Sequence, residues 1–115
     1  MEKMKVSVII TTYRRPALLR RAVWSVLSQS VVSEVEMELI IHDDDPSGSC
    51  GGAELEELFR AVPHKVQTVY MRRAEGLGGV ARARNRAFGS STGDWVLFLD
   101  DDDALESGAI EGLLG

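Results

Sequence analysis

Apolar residues along the chain alternate between short β-branched runs and stretches in which they recur every third or fourth position. Val6-Ser7-Val8-Ile9-Ile10 is a run of the first kind, ending at Thr11-Thr12-Tyr13, and predicts a buried strand. Pro16 opens a helix in which Leu19, Ala22, Val23, Val26 and Leu27 give one face to lay against a sheet, with an end expected near Ser30. Glu38-Leu39-Ile40-Ile41-His42 predicts a second strand, followed by Asp43-Asp44-Asp45-Pro46 and a turn-forming stretch through Gly48, Gly51 and Gly52. Leu55, Leu58, Phe59 and Val62 then sit at i, i+3, i+4 and i+7 of a second helix, which Pro63 ends. A third strand is expected from Val66 to Met71, and a turn from Gly76 to Gly79 leads to a third helix through Ala87. The fourth strand, Trp95-Val96-Leu97-Phe98-Leu99, runs into four aspartates, Asp100 to Asp103, before a last amphipathic piece with Leu105, Ile110, Leu113 and Leu114.

This alternation is most economically an α/β fold, a parallel sheet flanked by helices with right-handed crossovers. In such sheets the binding crevice lies beyond the carboxyl ends of the strands. Thr11-Thr12-Tyr13, Asp43-Asp44 and Asp100 to Asp103 all occupy that position.

The bulk numbers narrow the classes of function. A chain of 115 residues with 44% hydrophobic content is the size of one domain. A net charge of -5 argues against a nucleic-acid partner, which usually meets a basic stripe. The single cysteine, Cys50, makes no internal disulfide and fits a reduced, cytoplasmic setting. No apolar run reaches the roughly 18 to 20 residues of a membrane span, and the N-terminus has no signal-peptide pattern, which leaves peripheral docking on a membrane open.

Four adjacent carboxylates at the mouth of a strand repel one another, and a divalent cation resolves the repulsion. Hard oxygen ligands suit Mg²⁺ or Mn²⁺. Asp100 and Asp102 form an Asp-x-Asp pair that an extended segment would project to one side; the alternative is a helix N-terminus decorated with favourable charge. A P-loop hydrolase would need Gly-x-x-x-x-Gly-Lys-Ser/Thr, which is absent. A haloacid-dehalogenase-like phosphatase is disfavoured by Ala104 in the Thr/Val place. A receiver-like domain should carry its acidic pair after the first strand, where Thr11-Thr12-Tyr13 stands.

Asp44 can accept the N3–H of uracil or thymine, the first choice, or donors of guanine, whereas cytosine has no N3–H; alternatively Asp43 and Asp44 cap the turn around Pro46. Tyr13 either stacks on a base or plugs the crevice. Val80, Ala83, Arg84 and Ala87 form the inward stripe of the third helix, so Arg84 needs an anionic partner, a diphosphate or a cluster aspartate. Arg82 and Arg86 are expected in solvent. His42, His64 and Cys50 stand isolated, and Trp24 and Trp95 read as core or crevice wall.

Taken in register, Val6 to Arg14, Glu38 to Asp44, Ala83-Arg84-Asn85 and Phe98 to Asp103 resemble the family 2 glycosyltransferases across almost the whole chain. The resemblance implies a GT-A fold in which Thr11, Tyr13 and Asp44 hold the nucleoside of a UDP-sugar and Arg84 approaches the diphosphate. By the same matching Asp101 contacts the ribose, and Asp100 and Asp102 hold Mn²⁺ or Mg²⁺, with Asp102 the better direct ligand. It further implies inverting transfer to a glycan, lipid or other acceptor, with a general base. The chain departs from the pattern at Asp45-Pro46, where a glycine or small polar residue is common, and in stopping soon after the Asp-x-Asp segment. It therefore reads as the N-terminal, nucleotide-sugar-binding part (1–115) of a longer transferase, inactive alone and prone to self-associate through the fourth strand and the face around Leu105, Ile110 and Leu113. The runner-up is a non-catalytic nucleotide- or metal-binding module of the same fold, which a donor hydrolysis assay separates from an enzyme.

Overall fold

The computed structural model describes residues 4–29, 35–61, 66–74 and 76–114. In chain order the elements are β1 (Met4–Thr12), α1 (Pro16–Leu27), β2 (Val35–Asp43), α2 (Ala53–Ala61), β3 (Val66–Arg72), α3 (Val80–Ser90), β4 (Trp95–Asp100) and α4 (Ala109–Leu114). The four strands form one sheet in the order β3-β2-β1-β4, every neighbouring pair parallel. The alternating helices are what this requires, since parallel neighbours need a crossover between them. Expected ends at Ser30 and Val62, and the isolated His64, fall outside the described residues.

The period of two along each strand sends its side chains to two different layers. Val6, Val8 and Ile10 of β1 and Met37, Leu39 and Ile41 of β2 join one core with Leu19, Ala22, Val23 and Val26 of α1, Leu55 of α2 and Ile110 of α4. Ile9 and Ile40 face the other way, against Ala87 of α3. Because β1 and β2 are covered on both sides, their apolar runs are nearly continuous. Each fully buried Ile or Leu contributes about 1.5 to 3 kcal/mol.

Three expectations about packing are overturned by the structure. Ile110 is not on a bare face but 1% exposed, because Gln29 at the end of α1 accepts its N–H (3.0 Å) and donates to the Glu106 carbonyl (2.6 Å), turning α4 inward. Leu105 is half-buried against the same core, its N–H held by Ser25 Oγ at 3.0 Å. Trp24 and Trp95 are 46% and 60% exposed: Trp24 lies on the outer face of α1, and Trp95 begins the edge strand β4. Around β4, Trp95 and Leu113 are exposed on one side and Phe98, beside Arg84, on the other.

At the amino ends of the strands, buried Glu38 accepts the Ser7 hydroxyl at 2.6 Å and the Thr92 N–H at 3.0 Å. The Ser7 Oγ in turn accepts the Gly93 N–H at 2.9 Å, which fixes where the chain re-enters the sheet as β4. Among the described residues no helix is long and apolar enough to cross a membrane.

Candidate nucleotide-binding site

An open cleft lies beyond the carboxyl ends of β1, β2 and β4. Its walls are Thr11, Thr12, Tyr13 and Arg15 after β1, Asp44 after β2, Val80 and Ala83 of α3, and Asp100, Asp101 and Asp102 at the end of β4. The parallel register explains the convergence: Thr11 is paired with His42 on one side and Asp100 on the other, so three chain segments leave the sheet at one level.

The segment after β4 is not extended, as the Asp-x-Asp spacing suggested. It turns at Asp101-Asp102, and the Asp103 N–H donates to the Asp100 carbonyl at 3.0 Å. The turn, rather than strand alternation, gathers the carboxylates. One oxygen from each of Asp100, Asp102 and Asp103 lies within 4.8 Å of the others, which brings in Asp103 as a third candidate ligand. Exposed carboxylate oxygens of this kind are the hard donors that Mg²⁺ or Mn²⁺ takes. Asp101 points the other way: it is 4% exposed, accepts the Thr12 hydroxyl at 2.9 Å and has Arg15 Nε at 3.4 Å.

Arg84 is half-buried, with Nη2 3.0 Å from Asp100 Oδ1 and its guanidinium 5.7 Å from the centre of the Phe98 ring. Of the two partners expected for it, the cluster aspartate is the one it touches. Val80, expected inward, is 59% exposed at the wall of the open cleft; Ala83 and Ala87 make the buried stripe. Arg82 is exposed as expected, but Arg86 is half-buried. Arg84 and Arg86 flank the alanine stripe on either side, and Arg86 Nη2 donates to the Leu77 carbonyl at 3.0 Å.

The acidic run after β2 divides by position. Asp43 is fully buried and accepts the Tyr70 hydroxyl (2.6 Å), the Asp45 N–H (3.0 Å) and the Cys50 N–H (3.0 Å). This hydrogen bond and burial push the Tyr70 phenol above its ordinary value, burial contributing most. Asp45 caps the next turn through the Ser47 N–H at 2.9 Å. Only Asp44 reaches the cleft. Its Oδ2 accepts the Gly79 N–H at 2.9 Å, and its Oδ1 lies 3.3 Å from Arg73 Nε. A side chain at Gly78 would begin 2.8 Å from that Oδ2, and Gly79 has a φ of 117° as the residue before α3, so both glycines are needed for this approach. A carboxylate offers about four acceptor sites, which leaves Asp44 capacity for a ligand.

Tyr13 lines the cleft and is 45% exposed, with the Arg14 guanidinium 5.0 Å from its ring centre. Cys50 is buried, its sulfur 3.7 Å from the Thr12 hydroxyl. His42 is fully buried, and neither ring nitrogen has a hydrogen-bond partner among the described residues. Sequence spacing gave no sign of Arg73, because its contact with Asp44 comes from the pairing of Asp43 with Arg72 between β2 and β3.

Comparison with known proteins identifies the fold and the family. The structure superposes on S. aureus TarS in complex with UDP-GlcNAc with a TM-score of 0.74 at 24% identity, covering 96% of this chain and 30% of that one. A mannosyltransferase from Pyrobaculum calidifontis, in complex with GDP-Man and Mn²⁺, superposes with a TM-score of 0.66 at 21% identity, covering 90% and 29%. These likenesses establish the GT-A fold. The sequence profile described as Glycosyl transferase family 2 matches residues 7–115, and the chain belongs to that family. It is 35% identical over 100 residues to an uncharacterised glycosyltransferase of Nostoc sp., covering 87% of this chain and 29% of that protein. It is 30% identical over 112 residues to a GalNAc(5)-diNAcBac-PP-undecaprenol β-1,3-glucosyltransferase of Campylobacter jejuni, covering 96% and 33%. The chain thus spans about a third of the length of these relatives.

Proposed function

We propose that residues 1–115 are the donor-binding domain of a longer, inverting, metal-dependent glycosyltransferase that takes a UDP-sugar. The observation that carries this reading is the cleft itself, whose wall brings together Asp44 and the pair Asp100 and Asp102, which Asp103 joins just outside it. The names of the relatives and the UDP-GlcNAc, GDP-Man and Mn²⁺ complexes of the superposed structures support it.

In this reading Tyr13 stacks on the base, Asp44 accepts the uracil N3–H, and Thr11 and Asp101 border the ribose. Asp100 and Asp102, joined by Asp103, hold Mn²⁺ or Mg²⁺ against the diphosphate. When bound, the cation offsets negative charge that grows on the leaving diphosphate as the sugar C1–O bond breaks. Arg84, 3.0 Å from Asp100, would meet the diphosphate as an anionic partner. We read the setting as cytoplasmic, with peripheral membrane contact left open and a glycan, lipid or other acceptor, and the 115-residue chain as unable to transfer sugar alone.

Calorimetry tests the core of the proposal. UDP should bind about tenfold more tightly with Mn²⁺ than with chelator. Asp44→Ala should weaken UDP by about 1.5 to 3 kcal/mol while leaving the poorer CDP nearly unchanged. Equal affinity with and without metal removes the metal assignment, and unchanged UDP affinity in Asp44→Ala returns that residue to holding Gly79.

The unpaired edge of β4, with Trp95, Phe98 and Leu113 exposed, supports a second proposal, pairing of two copies along that edge. Light scattering should find dimers or larger species; a stable monomer at high concentration rejects it.

A further inference from the structure

Arg14 adopts a φ of 54°, the one left-handed backbone among the described residues other than glycine. That conformation is unfavourable for a residue with a Cβ. Its side chain is met by Asp45, 3% exposed, whose Oδ2 accepts Arg14 Nε at 3.1 Å while its Oδ1 accepts the Ser47 N–H (2.9 Å) and hydroxyl (2.8 Å). The Ser47 N–H, then the Ser47 and Ser49 hydroxyls and finally Arg14, acting against burial, hold the Asp45 carboxyl well below the usual carboxylate range. The acceptor is thus a fixed charge on a fixed loop.

The Arg14 side chain is 65% exposed, and an ion pair so open to solvent contributes little to stability. Stability alone therefore gives no reason to keep a strained residue here; strain of this kind points to a function at the site. The geometry supplies one. From Asp45 the guanidinium reaches back over Tyr13, 5.0 Å from the ring centre. The cation covers one face of the ring, and the cleft wall takes in Tyr13 and Arg15 but not Arg14.

We propose that Arg14 and Asp45 form a positioning couple that ties the loop after β1 to the loop after β2 and presents the open face of Tyr13 to the donor base. The inference rests on the donor reading of the cleft. Neither residue touches the nucleotide. The couple fixes the ring before the base arrives, so that stacking is not weakened by ordering a loose side chain.

The chain has two tyrosines, so tyrosine ring ¹³C labelling gives Tyr13 and Tyr70 as separate NMR reporters. In Arg14→Gly, which accepts the left-handed backbone without strain, Tyr13 ring signals should shift while those of Tyr70 stay in place. The melting temperature should hold or rise, and the UDP dissociation constant in Mn²⁺ should increase about three- to tenfold, the range of a cation–ring contact. Arg14→Lys, which can still place a cation over the ring, should stay closer to the parent in both readouts. An unmoved Tyr13 signal overturns the couple, as does loss of melting temperature in step with affinity. A parent chain that binds no UDP overturns the donor reading and with it the platform role; UDP binding that Arg14→Gly leaves unchanged overturns the couple alone.

Discussion

Asp43-Asp44-Asp45 and Asp100-Asp101-Asp102-Asp103 look alike in the sequence, each an acidic run at the end of a buried strand, yet the fold treats them differently. In the first run the protein's own donors satisfy Asp43 and Asp45, and both are buried. In the second, Asp100, Asp102 and Asp103 are exposed and gathered, and only Asp101 turns inward to Thr12. The surroundings of each strand end account for the difference. After β2 the chain packs down toward Cys50, and Tyr70 of β3 reaches across to Asp43. β4 is an edge strand among the described residues, and at its end only the Asp100 carboxylate, besides that of the inward Asp101, meets a side-chain donor, the Arg84 guanidinium at 3.0 Å. Internal donors fix Asp43 and Asp45 in place, whereas Asp100, Asp102 and Asp103 keep their carboxylates exposed.

The largest expected effect divides the runs by stability. Asp43→Ala strands the Tyr70 hydroxyl and two backbone N–H groups, at about 1 to 3 kcal/mol for each buried group left unpaired, and should cost about 3 kcal/mol or more in urea unfolding. Asp102→Ala or Asp103→Ala should lie within about 0.5 kcal/mol of the parent, since an exposed carboxylate among like charges supports little. Equal losses in both runs would erase the distinction.

The next effect runs the opposite way. Asp102→Ala should lower UDP affinity in Mn²⁺ by at least about tenfold and leave the metal-free affinity unchanged. Asp103→Ala tests the turn: a loss comparable to that of Asp102→Ala makes Asp103 a ligand, whereas parent-like binding returns the site to the Asp100 and Asp102 pair.

Much of this was legible in the sequence, for identifiable reasons. Strands β1 and β2 stood out because burial on both faces demands unbroken apolar runs, and α1 because Leu19, Ala22, Val23 and Val26 keep helical period. The cleft came from the rule that parallel sheets bind ligands at their carboxyl ends. Less legible were contacts set by register and turn geometry. Arg73 meets Asp44 only because β3 pairs with β2 in one register, and Asp103 joins its neighbours only through the turn at Asp101-Asp102. Arg86 was expected in solvent because helical phase alone does not show that Leu77, in the loop before α3, offers it a carbonyl.

The smallest expected effect tests whether the charge of the first acidic run is felt inside the sheet. His42 immediately precedes that run and faces α3; burial lowers its pKa from the ordinary value of 6.5, Arg86 lowers it further, and Asp44 and Asp43 oppose the shift. The folded protein therefore holds His42 neutral where the unfolded chain has begun to protonate it. Below pH 6.5 the unfolded state binds more protons, so stability is fully present above that value and falls as pH drops toward the lower folded value. Because the Asp44 and Asp43 charges offset part of the shift, the change should be smaller than those above. His42→Phe removes the titration without stranding a bond, since neither ring nitrogen has a hydrogen-bond partner among the described residues. Urea midpoints at pH 7.5 and 5.5 should therefore drop more for the parent than for His42→Phe, and less for Arg86→Gln, which relieves one source of the shift. Asp44→Asn, by withdrawing a neighbouring negative charge, should steepen the drop. Parallel drops in parent and His42→Phe would assign the acid sensitivity to other groups and leave the first run's charge without an effect on the sheet interior.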